Sequence, residues 1–379
     1  MQKSTIVFFI CLLSLAVVAQ PQPIEQKLQH LVDHTPAVGL AVVVVKKNKI
    51  IYQQYLGYKN IETKEPLTGN SLFRIASISK SFTATALLQL VEQKQISLYD
   101  DVSNLIGFTV RNPSFPEEII TLGQLLSHRS SLNDSQGYFN LDVIDPARNT
   151  NFFKCYNNYA PGNGYQYCNL NFNMAGAILE RITGVRFDTY IKQTILTPLG
   201  IEGGYCVDSL ASEKFATLYE YNAAENKFIA STGAYTSRSS ELIHYQMGRS
   251  TPLFSPTGGL KISAKDLATY MMMHSRMGKY KGGRLLKKKT ATLMQTPLSV
   301  DGIDQYGLAL WKTNKLIPGI TLTGHTGSAY GLNSALFFDP ITKNGMIIIC
   351  NGSRESDKEG YPLIIRETIR VLYEEFLSN

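Results

Sequence analysis

The order in which strand and helix texture follow one another constrains this chain more than any single motif. Near its start "VGLAVVVVKKNKIIYQQYLGY" reads as two strands rich in β-branched and aromatic residues, joined by a turn at "KKNK". Strand texture returns only near Tyr306, where "YGLALWK", "ITLTGHTG", "NSALFFDP" and "NGMIIICNG" are short apolar runs punctuated by Gly, Pro, Asn and Asp. The stretch between carries helical spacing instead, in "SISKSFTATALLQLVEQKQ", "TLGQLLSHRS", "NFNMAGAILERITG", "RFDTYIKQTILTPLG" and "SAKDLATYMMMHSRMG". Strands at both ends, with helices between, predict an α+β fold: an antiparallel sheet built from both termini and flanked by helices, with a mainly helical region inserted. The sheet part should occupy about 23–76 and 301–379, and the helical part about 77–300. An amphipathic helix, "PLIIRETIRVLYEEFL", closes the chain, and the methionine run at 271–273 is expected to fill core space. No internal repeat or low-complexity linker suggests an appended domain.

The first residues read as an export signal. Lys3 supplies the basic start, "IVFFICLLSLAVV" the uncharged apolar run, and Ala19 a small-residue cleavage site before "QPQP". Residues 1–19 should therefore leave the mature chain, which is expected in the periplasm or outside the cell, with no stable membrane anchor after cleavage. About 360 residues remain, and 44% hydrophobic against 18% charged content is that of a globular chain with a substantial core. Losing Lys3 takes the net charge from +7 to +6, a diffuse excess whose one dense run is "KKK" at 287–289; a solvated helix end explains it better than a nucleic-acid surface. Four cysteines survive cleavage, Cys155, Cys168, Cys206 and Cys350, and an oxidising compartment allows three complete pairings that the sequence cannot rank. No C-x-x-C, H-E-x-x-H or cluster of His, Asp and Glu has metal-ligand spacing, so neither a metal nor another cofactor is expected.

The chemistry concentrates at Ser77 and Lys80 in "FRIASISKSF", the one S-x-x-K in the chain. Three residues apart at a helix start, both side chains share one face, and the helix N-terminus favours negative charge. A lysine there can act as a base if burial lowers its pKa. The competing reading is a polar helix start, since so short a motif can arise by chance. A serine and a lysine still need a proton path to the leaving group and an oxyanion site. Tyr167 and Asn169 in "GYQYCNLN" could serve the first need, but three other Y-x-N triplets, beginning at Tyr58, Tyr138 and Tyr156, match equally well.

Taken in order, "FRIASISKSFTATALLQLVEQ", "TLGQLLSHRSSL", "APGNGYQYCNLNFNMAGAILERITG", "PLG", "SPTGGLKISAKDLATYM", "YGLAL" and "GHTGSAYGLNS" resemble the penicillin-recognising serine hydrolases of the class C β-lactamase and DD-peptidase type, across most of 73–335. That resemblance implies a β-lactamase/transpeptidase-like fold. It selects Tyr167, Cys168 and Asn169 over the other Y-x-N triplets, through the preceding Pro161 and Gly162 and the following "AGAILERITG". It makes His325, Thr326 and Gly327 the third motif, on an edge strand. Acyl transfer through a covalent ester is implied, with Ser77 as nucleophile, Lys80 and Tyr167 sharing the proton traffic, and Asn169 binding the substrate amide. The Ser77 and Ser328 backbone N–H groups would form the oxyanion hole, and His325 and Thr326 would meet the polar end of the substrate. His128 is read as support for the loop beside the cleft, with Tyr165 and Asn171 also supporting. Cys168 is expected to face away from the cleft, packing or pairing with Cys155 or Cys206.

Two departures from the pattern narrow the function. Cys168 stands where relatives commonly have serine or alanine, and His325 replaces the lysine of many class C β-lactamases, giving up a fixed positive charge at neutral pH. The reading is therefore an exported serine hydrolase of the D-Ala-D-Ala carboxypeptidase kind, with a cell-wall peptide as substrate. A β-lactamase or small-ester esterase with the same site is the alternative, and a non-catalytic protein binding wall fragments is a third.

Overall fold

A computed structural model describes residues 22–301, 304–354 and 360–378. The expected export signal over residues 1–19 lies outside the described residues. Among those described, no helix is long and apolar enough to cross a membrane.

The two halves of strand texture do join. Strands β1 (Gly39–Lys46), β2 (Lys49–Asn60) and β3 (Glu65–Pro66) come from the N-terminal side. From the C-terminal side come β4 (Ser299–Asp301), β5 (Asp304–Tyr306), β6 (Trp311–Ile317), β7 (Ile320–Ala329), β8 (Leu332–Asp339) and β9 (Asn344–Cys350). They form one nine-stranded antiparallel sheet in the order β4-β5-β6-β7-β8-β9-β1-β2-β3. The seam is the pairing of β9 with β1, with Leu40 opposite Cys350 and Val43 opposite Ile347. At the "KKNK" turn Lys47 and Asn48 both take positive φ, the two-residue arrangement whose twist matches a hairpin.

The unbroken apolar run of β1 is explained by its two covered faces. Ala41, Val43 and Val45 enter the main core, whereas Leu40, Val42 and Val44 enter a second one. The terminal helices Ile24–His34 and Leu363–Phe376 roof the second core, through Leu28 on one and Ile365, Ile369 and Leu372 on the other. On the opposite face lies the helix Ala264–Ser275; its Met271 and Met273 are buried, as the methionine run suggested. This helix falls in the stretch assigned to the helical part, yet it belongs to the sheet's inner layer.

Within the inserted region the long helices are α1 (Ser79–Glu92) and α2 (Asn169–Thr183). Buried residues surround α1 on almost every side. Gly176 of α2 permits a close approach, since a Cβ there would sit 2.3 Å from Pro256 Cγ in the "PTGG" loop. Three small sheets went unanticipated: a hairpin of Tyr219–Asn222 with Lys227–Ala230, another of Lys279–Tyr280 with Gly283–Arg284, and a three-stranded patch of Phe73–Arg74, Lys261–Ile262 and Gly203–Gly204. Their strands are too short for periodicity to register.

The four described cysteines are all buried and unpaired, so the disulfide considered for Cys168 with Cys155 or Cys206 does not form. Its thiol instead faces Asp134 Oδ1 at 3.2 Å, which fits the packing alternative.

Candidate active site

Ser77 sits in a tight turn, Ala76–Ile78, that runs directly into α1. Ala76 has φ +48°, a left-handed conformation that a non-glycine residue adopts only when its surroundings hold it there. Those surroundings come from β7 and β8: Ser334 Oγ donates to Ile75 O at 3.1 Å, and a Cβ on Gly327 would lie 2.3 Å from Ile75 O and 3.2 Å from Ala76 Cβ. The third motif thus needs glycine because the strand passes against the nucleophile turn. Between residues 71 and 88 every side chain but that of Ser77 is buried, which leaves the hydroxyl as the reachable group.

Lys80, one helical turn on, is fully buried, and its ammonium has three acceptors: Ser77 Oγ at 3.1 Å, Asn169 Oδ1 at 2.8 Å and Thr257 O at 3.0 Å. Burial lowers its pKa to about 7, with Asp134 and Cys168 pulling in the opposite direction. Near neutrality, then, a large fraction of Lys80 is an uncharged amine able to accept the Ser77 proton. Tyr167 presents its ring 4.8 Å from Lys80 Nζ. Its phenol is held well above the ordinary range by burial, with a hydrogen bond to Ser77 opposing the shift. A neutral phenol can donate or relay a proton but is a poor candidate for the resting base.

Asn169 begins α2, and both ends of its amide are engaged. Its Oδ1 also accepts from Thr257 Oγ1 at 2.8 Å, while Nδ2 donates to Asp134 Oδ2 at 2.9 Å, leaving one amide hydrogen for a substrate. Asp134 caps α2 from outside, accepting from the backbone N–H of Asn169 at 2.8 Å and of Leu170 at 2.9 Å. The sequence reading missed Asp134. It lies 35 residues before the helix it caps, beyond the reach of any local capping pattern, although it stands just two residues past the "HRSSL" block.

His325 is placed differently from the expectation of an edge strand: β7 lies inside the sheet, paired with β6 on one side and β8 on the other. Its ring is 1% exposed and stacks on Trp311, with centroids 4.8 Å apart and planes 13° apart. Nδ1 meets the Thr326 carbonyl, so it carries the hydrogen, and Nε2 accepts from Tyr306 Oη at 3.3 Å. Burial and the Lys80 charge lower its pKa to about 3, so the ring is neutral. Both ring nitrogens are thus engaged within the protein, and the stacked ring braces β7 against β6. Thr326 is half-buried; Ser328 is exposed and, with Glu220, Tyr330 and Arg354, lines a cavity of about 600 Å³.

His128 takes the supporting role assigned to it. Cys168 N and Asn171 Nδ2 both point at its Nδ1, at 3.1 and 3.2 Å, which makes that atom the acceptor and puts the hydrogen on Nε2. Burial, Lys80 and His325 hold it neutral. Its ring lies 4.4 Å from that of Tyr167, and the rings of Tyr165, Phe172 and Tyr306 surround it. Asn171 also accepts from Ser130 Oγ at 2.8 Å. The structure therefore gathers Ser77, Lys80, Tyr167 and Asn169 into one cluster, with the third motif against the nucleophile turn.

The family model described as Beta-lactamase matches residues 24–368. The chain belongs to the Beta-lactamase family. Among curated relatives, this Beta-lactamase family member is 30% identical over 171 residues to Penicillin-binding protein 4* of Bacillus subtilis, a match spanning 42% of this chain and 36% of that one. It is 23% identical over 350 residues to Protein flp of Staphylococcus aureus, covering 88% and 63% respectively. The chain thus spans between about one third and two thirds of the length of these relatives. Among solved structures, D-amino acid amidase from Ochrobactrum anthropi in complex with D-phenylalanine has a TM-score of 0.71 at 23% identity, over 94% of this chain and 99% of that one. The likeness at that identity establishes the shared fold.

Proposed function

We propose that the protein is an exported serine hydrolase that works through an acyl-enzyme on Ser77, with D-alanyl-D-alanine-type cell-wall peptides as substrates. The observation that carries the reading is the desolvated Lys80 amine 3.1 Å from Ser77 Oγ. Neutral Lys80 takes the hydroxyl proton as Ser77 Oγ bonds to the substrate carbonyl carbon. The oxyanion turns towards the backbone N–H groups of Ser77 and Ser328. As the tetrahedral centre collapses, Tyr167 and Lys80 return a proton to the leaving amine, and its C–N bond breaks. A water molecule, activated by the same pair, then hydrolyses the ester. Asn169 holds Lys80 in place and offers its free amide hydrogen to the bound acyl chain. The names of relatives support the substrate class, one being a penicillin-binding protein and another a D-amino acid amidase.

A second reading has one specific observation behind it. Neutral His325, with both nitrogens engaged, puts no positive charge at the third motif, which suits an uncharged ester or amide better than a substrate carrying a carboxylate, β-lactam and D-Ala-D-Ala peptide alike. Turnover of a D-Ala-D-Ala peptide, a D-amino acid amide, a p-nitrophenyl ester and nitrocefin by the mature protein separates these readings. Release of D-alanine with kcat/KM at least tenfold above that for nitrocefin is expected. Ester cleavage with no release of D-alanine would overturn the cell-wall assignment.

A further inference from the structure

Arg74 and Lys261 stand directly opposite each other in the antiparallel pairing of Phe73–Arg74 with Lys261–Ile262, so their side chains leave one face of the ribbon together. Both are buried, at 8% and 4% exposure. Like charges opposed across strands destabilise the pairing, and buried charges ordinarily find an opposite charge. Among the described residues no carboxylate lies within ion-pairing distance of either. Asp208, whose charge does act on Lys261, accepts instead from the backbone N–H of Arg238.

The neutral acceptors present do not use up the donors. Arg74 donates through Nε to Gly258 O at 3.0 Å and through Nη2 to Ser255 Oγ at 3.3 Å, and its guanidinium lies 4.7 Å from the Tyr330 ring centroid. Lys261 Nζ donates to Tyr205 O at 2.7 Å. Both cations line a cavity of about 40 Å³, shared with Arg238, Ser255 and Cys206. One water molecule needs roughly 10–15 Å³ of such space, so there is room for a few waters or one small ion. Every formal charge on that wall is positive.

We propose that this cavity binds one small inorganic anion, of the chloride or phosphate kind, bridged between the Arg74 guanidinium and the Lys261 ammonium. Without the anion, burial and the Arg74 charge hold the Lys261 pKa down at about 7; the anion favours the ammonium form and turns the cross-strand pair into a bridge. The bridge ties together two segments that shape the site: Arg74 precedes Ser77 by three residues, and Thr257, whose carbonyl accepts from Lys80, precedes Lys261 by four. Binding is therefore expected to stabilise the fold and to firm the nucleophile turn. The proposal holds whatever substrate the enzyme takes.

Thermal unfolding of the mature protein in chloride, bromide, phosphate or gluconate, at fixed ionic strength and pH, tests it. The expected result is a saturable rise on the order of 2–5 °C with the small anions and none with bulky gluconate. Lys261→Met, which keeps the stem and removes the charge, should abolish the difference between anions. Crystals soaked in bromide give a readout that needs no variant: an anomalous peak between Arg74 and Lys261 is expected. A melting temperature that follows ionic strength alone, or a bromide-soaked crystal without that peak, would overturn the proposal.

Discussion

At Lys80 two effects compete: burial penalises the charged ammonium, while the Asp134 carboxylate and three acceptors favour it, and burial wins. Because the amine must be neutral to act as base, acylation should rise with pH through an apparent pKa of about 7 and then level off. A pH–kcat/KM profile checks this; a profile flat through neutrality, with no rise around pH 7, would contradict Lys80 as the base. Asp134→Asn removes a negative charge that raises the Lys80 pKa, so the ascending limb should move to lower pH. The same change turns one acceptor into a donor facing N–H groups, and the misplaced Asn169 should cost roughly 10²-fold in kcat. Tyr167→Phe should lower kcat by about 10²- to 10⁴-fold if it carries the proton to the leaving group. Residues of this cluster were readable where chemistry and spacing coincide, as in Ser77 and Lys80. Asp134 was not, because its link to α2 is made only by the folded chain.

Two elements, the Ala76–Ile78 turn and β7, have to meet for the site to exist, and Gly327 is where they touch. Gly327→Ala should push the strand off the turn, destabilising the fold by about 1–3 kcal/mol and lowering kcat/KM by more than tenfold. Urea unfolding and steady-state kinetics on the same preparation check both effects; unchanged kinetics would mean that β7 does not shape the reaction. The long elements were legible because their periodicity runs for several turns or residues, as in α1 and in β1. The small sheets were not, since a two-residue strand such as Lys261–Ile262 carries no pattern. For His325 the motif gave the position but not the orientation, which is set by Trp311 on the neighbouring strand β6.

Across the whole molecule the antiparallel sheet joining both termini followed from strand texture at the two ends, whereas the state of the cysteines did not follow from their number. Burial also gives the fold an unusual pH response. Lys80 and Lys261 both titrate near 7 when folded and near 10.5 when unfolded, so over that window the unfolded chain binds more protons. Stability should therefore increase from pH 7 to 9, by at most about 1.4 kcal/mol per unit for each lysine. The buried neutral rings of His128, His274 and His325 act in the same direction at lower pH, with stability falling as pH drops below about 6.5. Urea midpoints at pH 5, 7 and 9 in gluconate buffer should rise in that order, and a maximum at pH 7 or below would contradict the burial of the two lysines as neutral amines. The central claim is that Ser77 forms a covalent ester, and intact-protein mass spectrometry after exposure to a fluorescent penicillin tests it most directly. A single adduct of one acyl group on the protein, mapped to the peptide containing Ser77 and absent from Ser77→Ala, is the predicted result. An adduct that persists in Ser77→Ala, or none with any penicillin, ester or D-amino-acid peptide, would contradict it.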